Sequence, residues 1–147
     1  VALISPSDQQ RLRDLLAEMS RPVRLLFFTQ TLDCETCLVT KQILDELPAL
    51  SDRITVEEVN FVLEKDRAAQ YGIDRAPAVA VVAQDAQGAE QDTRIRFVGA
   101  PAGYGFMPLV RAVRLAGGAP PELSDESRQR LAAVTAPTRI QVFTTPT

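Results

Sequence analysis

Cys34 and Cys37, the two cysteines of this chain, stand where an apolar run gives way to a helical pattern, and that junction constrains the fold more than any other feature. Residues 23–28 (Val-Arg-Leu-Leu-Phe-Phe) have the makings of a central strand covered on both sides. A short polar turn follows. After the cysteines, Val39, Ile43, Leu44, Leu47 and Leu50 recur at helical spacing. The pair is therefore expected to open a helix that leaves the end of a buried strand.

That placement has chemical consequences. The N-terminal end of a helix carries partial positive charge and N–H groups without partners, so a thiol held there ionises more readily, and the thiolate is the form that attacks a disulfide. Cys34 is the expected nucleophile. Cys37, one helical turn on, is placed to attack the mixed disulfide and release the substrate reduced. Asp33 and Glu35 flank Cys34 and oppose its thiolate by Coulomb repulsion, together offsetting about one pKa unit. The pair should then be tuned to reduce rather than to oxidise. Other uses of Cys-x-x-Cys are half a zinc site, two unrelated buried cysteines, or an inactive relic. Structural zinc normally takes four Cys or His ligands, and a chain with no histidine and no third cysteine is not expected to hold a metal.

At 147 residues the chain is long enough for one domain with a full core. A net charge of −3 supplies no basic excess to neutralise phosphates, which argues against a nucleic-acid partner. The longest apolar runs, residues 25–28 and 78–83, fall far short of the roughly 20 residues that span a bilayer. The first residues lack the basic start and apolar middle of a signal peptide, so no membrane association and a cytoplasmic location are expected.

The remaining elements alternate. Ser7-x-x-Gln10 has the form of a capping box for a first helix bearing Leu12, Leu15, Leu16 and Met19. Residues 54–61 follow as a strand, with a bulge expected at Glu57-Glu58 where the alternation slips, and a short helix over 64–71 ends at Gly72. Pro77 begins the run 78–83, residues 85–88 supply a turn, and residues 93–98 alternate, which predicts a hairpin with a half-exposed edge strand. A helix bearing Phe106, Leu109, Val110 and Val113 ends at Gly117-Gly118. The order βαβαββα implies an α/β fold with a central mixed sheet flanked by helices, preceded by one extra helix. In it the third strand starts beside the cysteine turn, where the Ala76 backbone, next to Pro77, would be free to pair with an extended substrate peptide.

Cys-Glu-Thr-Cys at a strand-to-helix junction, Arg75-Ala76-Pro77 about 40 residues later and Gly99-Ala100-Pro101-Ala102-Gly103 before the next helix resemble the thioredoxin superfamily. Within it the chain is similar to the N-terminal unit of protein disulfide oxidoreductases built from two tandem, glutaredoxin-like thioredoxin folds. It resembles more distantly the N-terminal domain of the flavoprotein that reduces alkyl hydroperoxide peroxidases. The resemblance implies a thioredoxin fold, catalytic roles for Cys34 and Cys37, and Pro77 as a cis-proline bordering the substrate site with Ala76. It also implies no cofactor beyond a redox-active Cys34–Cys37 disulfide, protein or small disulfides as substrates, and a thioredoxin-reductase-like flavoprotein or a peroxidase as partner. The loop 99–103 is accounted for by turn chemistry alone. Two departures stand out. The Trp-Cys-Gly-Pro-Cys of thioredoxin itself is replaced in a chain with no tryptophan, and its buried aspartate, six residues before the first cysteine, is here Phe28. Glu58 is the candidate substitute for that carboxylate.

These residues favour a protein thiol–disulfide oxidoreductase. The alternative is a non-catalytic docking unit of a two-unit redox protein, its cysteines vestigial. The C-terminal residues suggest the second unit, because the capped helix at Ser124-Asp125-Glu126 and the run Thr138-Arg139-Ile140-Gln141-Val142-Phe143-Thr144 repeat the order helix, proline, strand that leads from Ser7 to Thr29. Residues 1–118 are expected to form one thioredoxin-like unit, and 119–147 a linker, helix and first strand of an incomplete second. Such a strand has to pair with an edge, either 93–98 or one on another molecule, so a dimer through an edge strand is also expected.

Overall fold

Val23–Thr29 forms β1, the second strand of a four-stranded sheet ordered β2-β1-β3-β4 in a computed structural model that describes residues 3–145. The other strands are β2 (Ile54–Asn60), β3 (Ala78–Gln84) and β4 (Glu90–Val98). β2 runs parallel to β1, while β3 and β4 are antiparallel to their neighbours. The helices are α1 (Pro6–Leu16), α2 (Cys37–Glu46), α3 (Lys65–Gln70), α4 (Phe106–Ala116) and α5 (Asp125–Ala132). The βαβαββα order expected from the sequence is present, with α1 before it and α5 after it.

Two apolar layers cover the sheet. On one face Val23, Leu25 and Phe27 of β1 and Val79 and Val81 of β3 pack against Leu12 and Leu16 of α1, Leu44 of α2 and Leu109, Val110 and Val113 of α4. On the other, Leu26 and Phe28 meet Val59, Ala68, Ile73, Ala78, Ala80 and Val82 beneath the short helix α3. The alternation of β1 thus serves both layers, and Leu25 to Phe28 are sealed from solvent. At about 25 cal/mol per Å² of apolar surface, each such side chain contributes roughly 1.5–3 kcal/mol on burial.

Polar contacts close the ends. The Gly117 carbonyl at the end of α4 accepts hydrogen bonds from the Ser20 and Arg21 N–H groups, both at 2.9 Å, fixing the link between α1 and β1. Arg114, buried on α4, donates its Nε–H to Glu18 at 3.0 Å. Gly72 ends α3 with φ 66°, a left-handed conformation that only glycine adopts without strain.

Three expectations are corrected. Helix α1 is capped by Ser5, whose hydroxyl accepts the Asp8 N–H at 3.2 Å, and not by Ser7; Pro6 fits the first helical position, where its missing N–H costs nothing. The bulge lies in the β3–β4 ladder between Ala80 and Val82, not at Glu57-Glu58. Arg94 there takes φ 64°, and the Thr93 hydroxyl donates to the Val81 carbonyl at 2.7 Å. Strand β2 stays in unbroken register because both glutamates find cations: Glu57 pairs with Arg24 at 2.9 Å and Arg67 at 2.6 Å, and Glu58 with Lys41. Finally, the strand expected over residues 139–145 is not formed. The backbone there joins no ladder, and Ile140, Val142 and Phe143 are 80–89% exposed. An alternating apolar run becomes a strand only where a ladder partner meets it, and β4, bent by its bulge, offers no straight edge.

The carboxyl of Glu57 is held below its ordinary pKa by the hydrogen bond from Arg67, and that of Asp92 by the two hydrogen bonds from Arg96, at 2.6 and 2.7 Å. A depressed folded-state pKa contributes stability that is present above the unfolded value of about 4 and lost as pH falls through the folded value. Melting temperature should therefore hold level above about pH 5 and fall below about pH 4, modestly, since both groups are about a third exposed and partly screened. Glu57→Gln with Asp92→Asn should lower it at neutral pH and flatten the acid limb. An acid limb as steep as the parent's would show that other groups govern it.

Candidate functional site

By register, Thr29 at the end of β1 lies level with Asn60, and Phe28 level with Ala78, which in turn pairs with Val98. One end of the sheet therefore gathers the turn 30–36, the residues after β2, the 73–77 loop and the 99–105 loop. The cysteines and the Ala76–Pro77 pair, about 40 residues apart in sequence, are brought to this end by topology alone.

Cys34 and Cys37 are joined as a disulfide with their Cα atoms 5.4 Å apart. The helix opens at Cys37, so only the second cysteine is helical; Cys34 belongs to the turn before it. Exposure separates the two, with Cys34 half-buried and Cys37 only 6% exposed. The turn is built by Gln30, whose side-chain amide donates to the carbonyls of Leu32 at 2.8 Å and Asp33 at 3.3 Å. Asp33 takes φ 54°, a left-handed conformation that a short polar side chain tolerates better than most. The Cys37 N–H reaches the Cys34 carbonyl at 3.4 Å. Thr36, at the N-cap, makes no side-chain cap and the first turn of α2 carries no acidic residue, so the positive end of the helix is left uncancelled beside the disulfide. Deeper in α2, buried Thr40 donates its hydroxyl to the Thr36 carbonyl at 2.7 Å and braces that turn.

Across from the cysteine turn, the Ala76–Pro77 peptide is cis. Pro77 is buried, and its carbonyl accepts the Gly99 N–H at 2.8 Å; Ala76 is half-buried. Asp74 and Arg75 form an exposed ion pair at 2.9 Å, which lowers the Asp74 pKa and raises that of Arg75. Glu58 does not stand in for the missing buried carboxylate. It is exposed at the sheet edge, paired with Lys41, whose pKa that hydrogen bond raises. Phe28 is fully buried, its ring tilted against Tyr71 with centroids 6.1 Å apart. Among the described residues no group of three or more His, Cys, Asp or Glu is placed to hold a metal ion, and no helix is long and apolar enough to cross a membrane.

A feature that sequence reasoning missed is the rim of the site. Leu32, Leu38, Val62, Leu63, Val98 and Tyr104 all lie at this end of the sheet and are 52–80% exposed. Their signal was present in the sequence as leucines in turns and on the polar side of a helical pattern, where core packing gives no reason for them. The braces Gln30 and Thr40 were likewise not anticipated.

The site and sheet together define a thioredoxin-fold domain carrying a Cys-x-x-Cys disulfide at its strand-to-helix junction. No family model matches the chain. It is 29% identical over 69 residues, 46% of its length and 69% of the relative's, to a probable thioredoxin from Methanothermobacter thermautotrophicus. Among solved structures it is similar to the NTD_N/C domain of alkylhydroperoxide reductase AhpF from Enterococcus faecalis, with a TM-score of 0.77, 30% identity and coverage of 90% of this chain. A protein disulfide oxidoreductase from Aeropyrum pernix shares the fold with a TM-score of 0.70 at 23% identity, again over 90% of this chain. The chain spans 61% of the Enterococcus chain and 56% of the Aeropyrum one. The fold, the cysteine pair and these likenesses support the thioredoxin superfamily as the family of this chain.

In the reduced protein, removing the two flanking carboxylates with Asp33→Asn and Glu35→Gln should lower the Cys34 pKa by roughly 0.5–1 unit. Asparagine is the substitution of choice at position 33 because it tolerates the left-handed backbone, which alanine does not. Thiolate absorbance against pH reads the shift, and an unchanged or raised pKa would remove both residues from any tuning role.

Proposed function

We propose that this domain exchanges dithiols for disulfides with polypeptide substrates. The Cys34 thiolate attacks one sulfur of a substrate disulfide, forming a mixed disulfide and expelling the other sulfur as a thiolate. The Cys37 thiolate then attacks the Cys34 sulfur, closing the intramolecular disulfide and releasing the second substrate thiolate, so that two electrons pass to the substrate. The observation that carries this is the unequal exposure of a bonded pair: half-buried Cys34 is open to an incoming sulfur, and nearly buried Cys37 is reachable only from Cys34. The uncancelled N-terminus of α2 supports thiolate formation, and the half-buried Ala76 backbone beside the turn supports docking of an extended peptide.

The oxidised pair is returned to dithiol by an external donor, a thioredoxin-reductase-like flavoprotein or a dithiol partner. The likeness to the Enterococcus reductase domain supports a place between such a donor and a peroxidase. A reducing compartment, the cytoplasm, is the setting in which this cycle runs. Beyond the disulfide itself, the chemistry needs no cofactor.

Cys34→Ser should abolish insulin reduction at saturating dithiol, by at least about a hundredfold, while Cys37→Ser should accumulate a covalent complex with substrate through Cys34, visible by mass spectrometry and lost on reduction. Turnover that survives Cys34→Ser would sink the assignment of the nucleophile. No turnover in the parent, with slow alkylation of both thiols, would mark the domain as a docking unit instead.

A further inference from the structure

Residues 31–36, which carry the nucleophile from β1 to α2, are exposed except for Cys34 itself. A segment of this kind gains little order from packing, so hydrogen bonds have to give it its shape. Its root is firm. The Thr29 carbonyl accepts the Phe61 N–H at 2.9 Å, which fixes the peptide plane that Thr29 shares with Gln30. From that anchored position the half-buried Gln30 side chain reaches forward, a single Nε2 group donating to the Leu32 carbonyl at 2.8 Å and the Asp33 carbonyl at 3.3 Å. Among the described residues no other side chain bonds into residues 31–35.

Two carbonyls that converge on one amide fix two successive peptide planes. In a trans peptide the N–H points opposite to the C=O, so the Asp33 and Cys34 N–H groups are both directed away from Gln30. The second of these planes ends at the Cys34 Cα, and the direction in which the thiol leaves the chain is thereby set from Gln30. The same contact accounts for Asp33 at φ 54°. A left-handed backbone is disfavoured for a residue with a Cβ, and the amide that collects the carbonyls on either side of it holds it there.

We propose that Gln30 is a positioning residue for the cysteine pair: by ordering the turn before Cys34 it raises the effective concentration of one thiol at the other and lowers the reduction potential of the pair. The disulfide and the Gln30 amide constrain the same short turn. Each finds part of the ordering already done by the other, and two constraints that share an ordering cost stabilise one another. By reciprocity, the amide contact favours the disulfide form by the same factor by which the disulfide favours the contact. A bond that served only the fold would stabilise oxidised and reduced protein alike and leave the potential where it was. The inference deepens the exchange reading and rests on it for the use made of this poise, since a pair that closes more readily is a stronger electron donor to its substrates.

The test equilibrates the full chain with mixtures of reduced and oxidised glutathione, traps free thiols by alkylation and counts the two forms by mass spectrometry. In this equilibrium the pair gives up two protons and two electrons as its disulfide closes, and one glutathione disulfide becomes two thiols. Gln30→Met keeps the length of the side chain without its donor, and Gln30→Glu, ionised at pH 7, keeps the shape but turns acceptors toward the two carbonyls. Each should lower the effective concentration at least about threefold, a rise in potential of about 14 mV at roughly 30 mV per decade. Each should also lower the melting temperature of the oxidised protein more than that of the reduced one. A smaller change in effective concentration in either variant, or an equal loss of melting temperature in the two redox states, would overturn the proposal. Insulin turnover by the parent, followed alongside, reports on the exchange reading separately, because the glutathione equilibrium decides the role of Gln30 whether or not a polypeptide is reduced.

Discussion

The double burial of β1 is the constraint on which the rest depends. Leu25 and Phe27 belong to one apolar layer and Leu26 and Phe28 to the other, so a slip by one residue would drive each set into a layer packed for the other. Misfitted core side chains cost roughly 1–3 kcal/mol each. The point where the chain leaves β1 is thereby fixed, and with it the turn that holds Cys34. Chemistry placed on a turn gains precision from the rigid element that ends there.

The second half of the site reaches the same place by a different route. Ala78 pairs with Phe28 and with Val98, so the antiparallel hairpin of β3 and β4 carries the Ala76–Pro77 segment and the 99–105 loop to the exit of β1. The Gly99 N–H, bonded to the Pro77 carbonyl, ties those two loops together. The acidic neighbours of Cys34 and the bare N-terminus of α2 act on the same sulfur with opposite sign. The first are exposed and screened by solvent, while the second is fixed in direction by the helix.

Much of this was legible in the sequence, because patterns that report burial are local. The run 23–28, the helical spacing after Cys37 and the Gly72 cap each gave an element of the right kind in the right place. The errors have a common physical source: a partner distant in sequence decided the outcome. Glu57 and Glu58 looked like a break in alternation because Arg24, Arg67 and Lys41, which hold them in a straight strand, lie on other elements. Residues 139–145 carry a strand's pattern, but pattern is a necessary condition and a ladder partner is the sufficient one. The Ser5 cap was hidden by Pro6, whose preference for the first helical position moves the boundary by two residues. At the site, the cysteines could be found by inspection, whereas the roles of Gln30 and the exposed leucines depend on which loops the sheet brings together.

The brevity of the turn between Thr29 and Cys37 has a consequence for how the protein answers a change of redox state. β1 and β3 are sealed by both layers, and their amides should exchange with solvent only when the whole domain opens. The turn is held by the Gln30 side chain, the Thr40 hydroxyl on the Thr36 carbonyl, one long Cys37 N–H bond and, last, the disulfide itself. Reduction removes the last of these and leaves the others. Any rearrangement between the two redox states is then confined to a short loop hinged on two rigid elements, and a partner would distinguish oxidised from reduced protein by the mobility of that loop rather than by a change of shape.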